Sequence, residues 1–403
     1  MPEDDDTWYY YLVHSSIPLF LNTNSNSNSV MIVSLETLST RVAHQCMVRP
    51  CKSTHGHRVL LGKTGYYQNR IYSSLDDFME EEDGPSPEEI ARRIRQETDD
   101  IVFEQDPPDH KMGFIAIIGK PNAGKSTLMN TIIGENLSIV TEKAQTTRHK
   151  VLGIWSETGH QAVFLDTPGI IVNQKDELEE RMMAAVTQAI KDADVLIAIV
   201  DVGDRPEQAL EMIQPGDNWD GPPMAVLLNK IDTIDEETYQ SIVQWYKDNC
   251  KAEIVIPISA ETGENVSILK EWVLEKIPEG PSMYPKDVLS EANERFFVSE
   301  IIRKNVFLQY RQELPYQVAV QVTEFKERIP PKKTFIQANV VVEKERHVKL
   351  LVGSKGSAIK ALSLSSRADI EEFLGVPVYL DVSVKVVPKW RSSDTSLSSL
   401  GYT

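Results

Sequence analysis

The chain has 403 residues, with 42 Lys and Arg against 60 Asp and Glu and a net charge of −18. That length holds two or three domains with cores of their own, and the acidic total excludes a protein that coats nucleic acid along its whole length. Cys46, Cys51 and Cys250 have no C-x-x-C spacing, which argues against zinc and against a disulfide framework, and no apolar run reaches the roughly 18 residues of a membrane span.

The charge is unevenly spread. Residues 285–391 carry 18 Lys and Arg against 13 Asp and Glu, a net +5 that leaves −23 elsewhere. A basic module on an acidic chain suits local binding to a polyanion, although a solvated mixed-charge face has the same signature.

Residues 1–72 differ from the remainder of the chain. "NTNSNSNS" is low-complexity and builds no core. From Met31 to Tyr72, Arg41, Arg49, Lys52, Arg58, Lys63 and Arg70 are opposed only by Glu36. This acid-poor composition predicts an organelle transit peptide or disordered extension, with residues 1–30 as an upstream addition or a misplaced start. Residues 73–110 read as an acidic linker, in which Ser86, Pro87 and Glu89 form a capping box and predict a short helix over 88–97.

Residues 111–280 alternate buried strands with amphipathic helices. The strands are "FIAIIG", "AVFLDT", "VLIAIVD", "MAVLLNK" and "IVIPISA"; the helices are "KSTLMNTIIG", "ERMMAAVTQAIKDA" and "TYQSIVQWYKDN". The alternation predicts an α/β domain with a parallel sheet covered on both faces and ligands at the carboxyl ends of its strands.

Gly119, Gly124, Lys125 and Ser126 have the spacing of a phosphate-binding loop between strand and helix. In the loop of Gly119, Lys120, Pro121, Asn122, Ala123, Gly124, Lys125, Ser126 and Thr127, the backbone N–H groups of the residues other than proline would face the phosphates. Lys125 would supply charge and the Ser126 hydroxyl a magnesium ligand. "FLDTPG" places Asp166 to reach magnesium and the Gly169 N–H to meet a terminal phosphate. "NKID" supplies Asn229, Lys230 and Asp232; a carboxylate there accepts the N1–H and exocyclic amine of guanine, which selects GTP. "ISAETG" offers Ser259 and the Ala260 N–H, the latter for the guanine carbonyl. Lys125, Thr147 and Gly169 are the catalytic candidates.

"KAQTTRHK" is the place for a mobile segment whose threonine ligates magnesium only with the γ-phosphate present. Thr147 is favoured over Thr146, but spacing does not separate them. Where many GTPases place a water-orienting glutamine, this chain has Ile170, so charge stabilisation must come from elsewhere.

Residues 281–392 predict a small α+β domain: a long helix in "SEANERFFVSEIIRKNVFLQYRQE", strands "YQVAVQVTEF" and "FIQANVVVEK", a loop and helix, and a last strand "VYLDVSVKVV", with 393–403 as a tail. The spacing of Phe296, Phe297, Ile301 and Phe307 predicts a core face rather than a membrane-surface stripe. Gly353, Ser354, Lys355 and Gly356 form a G-x-x-G loop before a helix carrying Ile359 and Leu362, the feature that clamps a nucleotide backbone in KH domains. Lys360, Lys349 and Arg367 could extend that basic surface.

Together "GKPNAGKST", "KAQTTRH", "DTPG", "NKID", "PISAETG", "ERFFVSEIIR", "ELPY" and "VGSKGSAIK" resemble the Era GTPases over about residues 111–392. The resemblance implies a P-loop GTPase domain joined to a type II KH domain. It also implies magnesium-dependent hydrolysis of GTP to GDP, and a potassium ion held by Asn122 that could fill the role Ile170 cannot. Partners implied are the 3′ region of small-subunit ribosomal RNA and the assembling small ribosomal subunit, with peripheral membrane contact in some relatives; a monomer is expected. Plant-type relatives serve organelles, and the chloroplast is favoured over the mitochondrion. Ala123 departs from the usual valine with little expected effect. Two competing functions are an RNA-binding scaffold in which GTP is structural and a GTPase of tRNA modification, although the latter's catalytic cysteine segment and folate-binding domain are not found.

Overall fold

The computed structural model describes residues 106–402 apart from 142, 144, 214–220 and 329–331, together with two short strands, β1 (Leu19–Asn22) and β2 (Val30–Val33), which pair antiparallel. The expected transit segment, apart from that pair, and the expected helix over 88–97 lie outside the described residues.

A six-stranded sheet forms from β3 (Lys111–Ile118), β4 (Val151–Glu157), β5 (His160–Asp166), β6 (Val195–Asp201), β7 (Met224–Asn229) and β8 (Ile254–Ile258), in the order β4-β5-β3-β6-β7-β8. All neighbours are parallel except the edge pair β4 and β5, joined at the turn that brings Glu157 opposite His160. The sequence reading finds the five parallel strands and misses β4. That strand lies on the sheet edge, and its interrupted apolar pattern gives a weaker signal than a run buried on both faces.

Helices cover both faces because the strands are apolar on both sides. One core cluster joins Ile115, Ile117 and Ile197 to Leu128 and Met129 of α1 (Lys125–Ile133) and to Leu269 and Trp272 of α5 (Val266–Lys276). The other joins Ala116, Leu196 and Val226 to Val186 of α2 (Glu177–Asp192), Leu210 of α3 (Pro206–Ile213) and Tyr246 of α4 (Glu236–Asn249). The Asp176 side chain caps α2, accepting from the Glu179 N–H at 3.1 Å. Three glutamates in the first turn add favourable charge at that end of the helix dipole.

The chain leaves this layer along the sheet edge. The buried Gln161 accepts the Met283 and Tyr284 N–H groups, both at 2.8 Å, and Ile154 N–H donates to Leu289 at 2.8 Å. Then come α6 (Glu294–Gln309), β9 (Val318–Lys326), β10 (Thr334–Val342), α7 (Glu345–Val352), α8 (Ser357–Leu374) and β11 (Val378–Val386). The sheet order is β11-β10-β9, with β10 antiparallel to β9 and parallel to β11. Phe297 and Phe307 are 2% and 0% exposed, so these α6 aromatics serve the core as expected.

The stretch after β11, given no element in the sequence reading, forms α9 (Asp394–Ser399). Trp390, Leu397 and Tyr402 bury against Leu178 and Met182 of α2 and against Ala319 and Val341 of the small sheet. These residues tie the two layers together.

Candidate nucleotide site and RNA-binding loop

The loop between β3 and α1 turns sharply. Asn122 (φ 66°) and Gly124 (φ 103°) are left-handed, and a Cβ on Gly124 would lie 2.0 Å from the Asn229 amide nitrogen. Glycine is therefore required at 124 by contact as well as by conformation. Gly169 is packed as closely, since a Cβ there would lie 2.6 Å from the Pro121 backbone nitrogen. That contact brings the "DTPG" turn against the phosphate loop, and Ile170 N–H donates to the Gly119 carbonyl at 3.0 Å.

Three oxygen-bearing side chains converge beside this loop. The Ser126 hydroxyl lies 2.8 Å from that of Thr147 and donates to Asp166 Oδ2 at 2.7 Å. Asp166 is fully buried and its Oδ1 accepts no direct hydrogen bond. Burial raises its pKa, opposed by Ser126, Lys125 and the neighbouring Ser138 hydroxyl. An unpartnered buried carboxylate oxygen among hydroxyls is a hard, all-oxygen donor set that fits Mg²⁺. Thr147 is in this group, whereas Thr146 only lines the adjacent pocket.

Lys125 is 5% exposed, and burial lowers its pKa to about 8 against the opposing pull of Asp166. Its ammonium donates to the carbonyls of Lys120 at 2.8 Å and Gly119 at 3.2 Å. A buried cation whose hydrogen bonds go to backbone carbonyls favours an anion as partner. The open pocket in front of it, of about 400 Å³, is walled by residues 121, 122, 124–127, 139–141, 145–147 and 169. Ile139, Val140, Thr141 and Gln145 were missed by sequence reasoning, because nothing in "SIVTEKAQ" marks phosphate chemistry apart from its place before Thr147.

The base-recognition candidates form a second group, tied to the first. The Asn229 amide donates to the Ala123 carbonyl at 2.8 Å and accepts the Ala260 N–H at 2.8 Å, so one side chain fixes two loops. Ser259 is buried and accepts the Thr262 N–H at 3.2 Å. Lys230 adopts φ 69° and pairs with Asp201 at 2.5 Å, and Lys120 pairs with Asp204 at 3.4 Å. Asp232 sits in a short 3₁₀ turn, Ile231–Thr233, exposed and outside the phosphate pocket.

Gly353 to Gly356 join α7 to α8 through Gly353 (φ 71°), Lys355 (φ 50°) and Gly356 (φ 78°). Ser354, Lys355, Lys349 and Lys360 are exposed there, whereas Arg367 pairs with Glu371 at 3.7 Å. The loop thus offers backbone N–H groups and exposed cations at the start of an 18-residue helix.

Comparison with known proteins agrees with both halves. The family model "50S ribosome-binding GTPase" matches residues 114–230, and a KH domain model matches 313–391. A protein of Oryza sativa subsp. japonica named "GTPase ERA-like, chloroplastic" is 46% identical over 296 residues, covering 73% of this chain and 70% of that protein. The chain belongs to the Era GTPases. The "GTPase Era" of Alkaliphilus metalliredigens is 37% identical over 73% of this chain and 99% of its own length. A crystal structure of Era in complex with MgGDPNP and nucleotides 1506–1542 of 16S ribosomal RNA aligns at 35% identity and TM-score 0.68, over 73% of this chain and 99% of that one. The Era match therefore takes in both layers.

Proposed function

We propose that this Era GTPase is a magnesium-dependent, GTP-hydrolysing switch that binds small-subunit ribosomal RNA through its KH domain and assists assembly of that subunit in the chloroplast, acting as a monomer. The observation that carries the reading is the convergence of Ser126, Thr147 and the unpartnered Asp166 Oδ1 beside buried Lys125.

Lys125 exchanges its carbonyl contacts for phosphate oxygens. The oxygens of Ser126, Thr147 and Asp166 would hold magnesium, which when bound neutralises charge developing on the phosphate oxygens. Gly169, held against Pro121, gives its N–H to the terminal phosphate. Asp232 reads guanine, and the Ala260 N–H, positioned by Asn229, meets the base carbonyl.

Ile170 is half-buried against the strand core and has no group with which to hold water. Asn122, left-handed at the pocket wall, can offer its amide oxygen to a potassium ion. Turnover that rises on replacing sodium by potassium, and ceases to do so in Asn122→Ala, is the expected result.

The relatives named chloroplastic and the acid-poor segment before residue 73 support the organelle. RNA crosslinking of the tagged protein in its own cells, with sequencing of what is bound, tests partner and address together. Reads at the 3′ end of chloroplast small-subunit RNA are expected. Reads at the mitochondrial counterpart would move the address, and reads spread over messenger or transfer RNA would remove the ribosome from the reading.

A further inference from the structure

The residues after Thr147 leave the nucleotide pocket and enter the other layer. Arg148 is buried, and its guanidinium donates to the carbonyls of Val318 at 2.7 Å and Tyr316 at 2.9 Å, with the Tyr402 hydroxyl at 3.4 Å. The next ring, His149, stacks on Tyr402 with centroids 4.5 Å apart and an interplanar angle of 11°, while Phe296 meets it edge-on at 5.3 Å. Upstream, Lys143 donates to the carbonyls of Phe307 and, at 2.6 Å, Tyr310 at the end of α6. The segment bearing Thr147 is therefore fastened on both sides to residues beyond 290.

The segment beyond Gly169 is fastened to the same place. Arg391 pairs with Asp176 at 2.7 Å and with Glu179 at 3.6 Å, and Arg181 of α2 donates to the Tyr402 carbonyl and to Asp394. Tyr402 thus touches both segments, with its ring on one and its carbonyl on the other.

We propose that Tyr402 is a positioning residue for GTP hydrolysis: by clamping Arg148 and His149 from the KH side, it holds Thr147 against Ser126. The inference rests on the proposed role of the Ser126, Thr147 and Asp166 group as the hydrolytic centre. Two physical reasons support it. A guanidinium buried without a carboxylate among its hydrogen-bond acceptors is stable only while every carbonyl that accepts from it stays in place, so Arg148 makes the docking cooperative. A segment already ordered by contacts outside the pocket loses less conformational freedom when its threonine is recruited, which favours the triphosphate-bound arrangement. GDP binding, which does not need Thr147, is unaffected by this device.

The test compares the full chain with Tyr402→Ala, Tyr402→Phe and a stability control, Ile370→Val, whose side chain lies in the core of the small domain away from the tail. Single-turnover and steady-state hydrolysis are read beside GDP affinity. In Tyr402→Ala the hydrolytic rate at saturating GTP falls about tenfold while GDP affinity stays within about twofold. Tyr402→Phe, which keeps the ring, regains most of the rate, and Ile370→Val keeps the full rate. Should Tyr402→Ala not fold, His149→Ala, which removes the ring on which Tyr402 stacks, takes its place with the same expected split.

An unchanged rate at saturating GTP in Tyr402→Ala would overturn the positioning role while leaving the GTPase reading intact. An equal loss of GDP affinity would overturn it too, by assigning Tyr402 to fold stability alone. A wild-type chain that binds GTP without hydrolysing it would overturn the underlying GTPase reading, and this inference with it.

Discussion

Lys125 and Lys355 both sit in glycine-bearing loops at the start of a helix, and the protein treats them in opposite ways. Lys125 is 5% exposed, with a pKa lowered to about 8, and lies in a loop enclosed by groups from later segments of chain. Lys355 is exposed, in a loop where a Cβ added to Gly356 would meet nothing within 4 Å. The local motif is alike, but burial decides what each can recognise. On the proposed roles, an enclosed cation with fixed neighbours would select one shape of anion, whereas an exposed one on a backbone clamp would accept any phosphodiester and leave sequence readout to other contacts.

This contrast is broken most severely at the enclosed lysine. Lys125→Ala is expected to weaken GTP binding by at least about a hundredfold while leaving RNA affinity unchanged, as measured by nucleotide fluorescence titration and filter binding; normal hydrolysis in that variant would place the site elsewhere. Asp232→Ala should reduce the preference for guanine over adenine nucleotides by about a hundredfold, read by competition, with phosphate contacts intact. Lys355→Glu should weaken RNA binding by about tenfold and lower its salt dependence by about one counterion, with nucleotide affinity untouched.

The smallest effect sharpens the comparison through pH. In the nucleotide-free protein burial depresses the Lys125 pKa to about 8, and bound phosphate would raise it, so the complex takes up a proton above that pH. Nucleotide affinity should be complete below about pH 8 and decline as pH rises through it, whereas RNA affinity stays flat across the same interval. Calorimetry in buffers of different ionisation enthalpy would register the proton uptake. An affinity independent of pH across that window would mean that Lys125 does not titrate there.

Five parallel strands, the strand-end places of the glycine-bearing loop over 119–127 and of "NKID", and the glycine turn over 353–356 were legible in the amino-acid order alone, because each rests on short-range rules: apolar runs for buried strands, glycine where backbone must approach, and fixed spacings at strand ends. Other features depend on the folded chain. Thr147 rather than Thr146 lies beside Ser126, since two adjacent threonines differ only in which way the folded segment turns them. Val151–Glu157 becomes an antiparallel edge, and α9 forms from a tail whose serines and lone apolar residues carry no periodic signal. Arg148 reaches Val318 across 170 residues of chain, and His149 reaches Tyr402 near the far end. No local pattern exists for such contacts, because their energy arises only when parts of the chain distant in sequence meet.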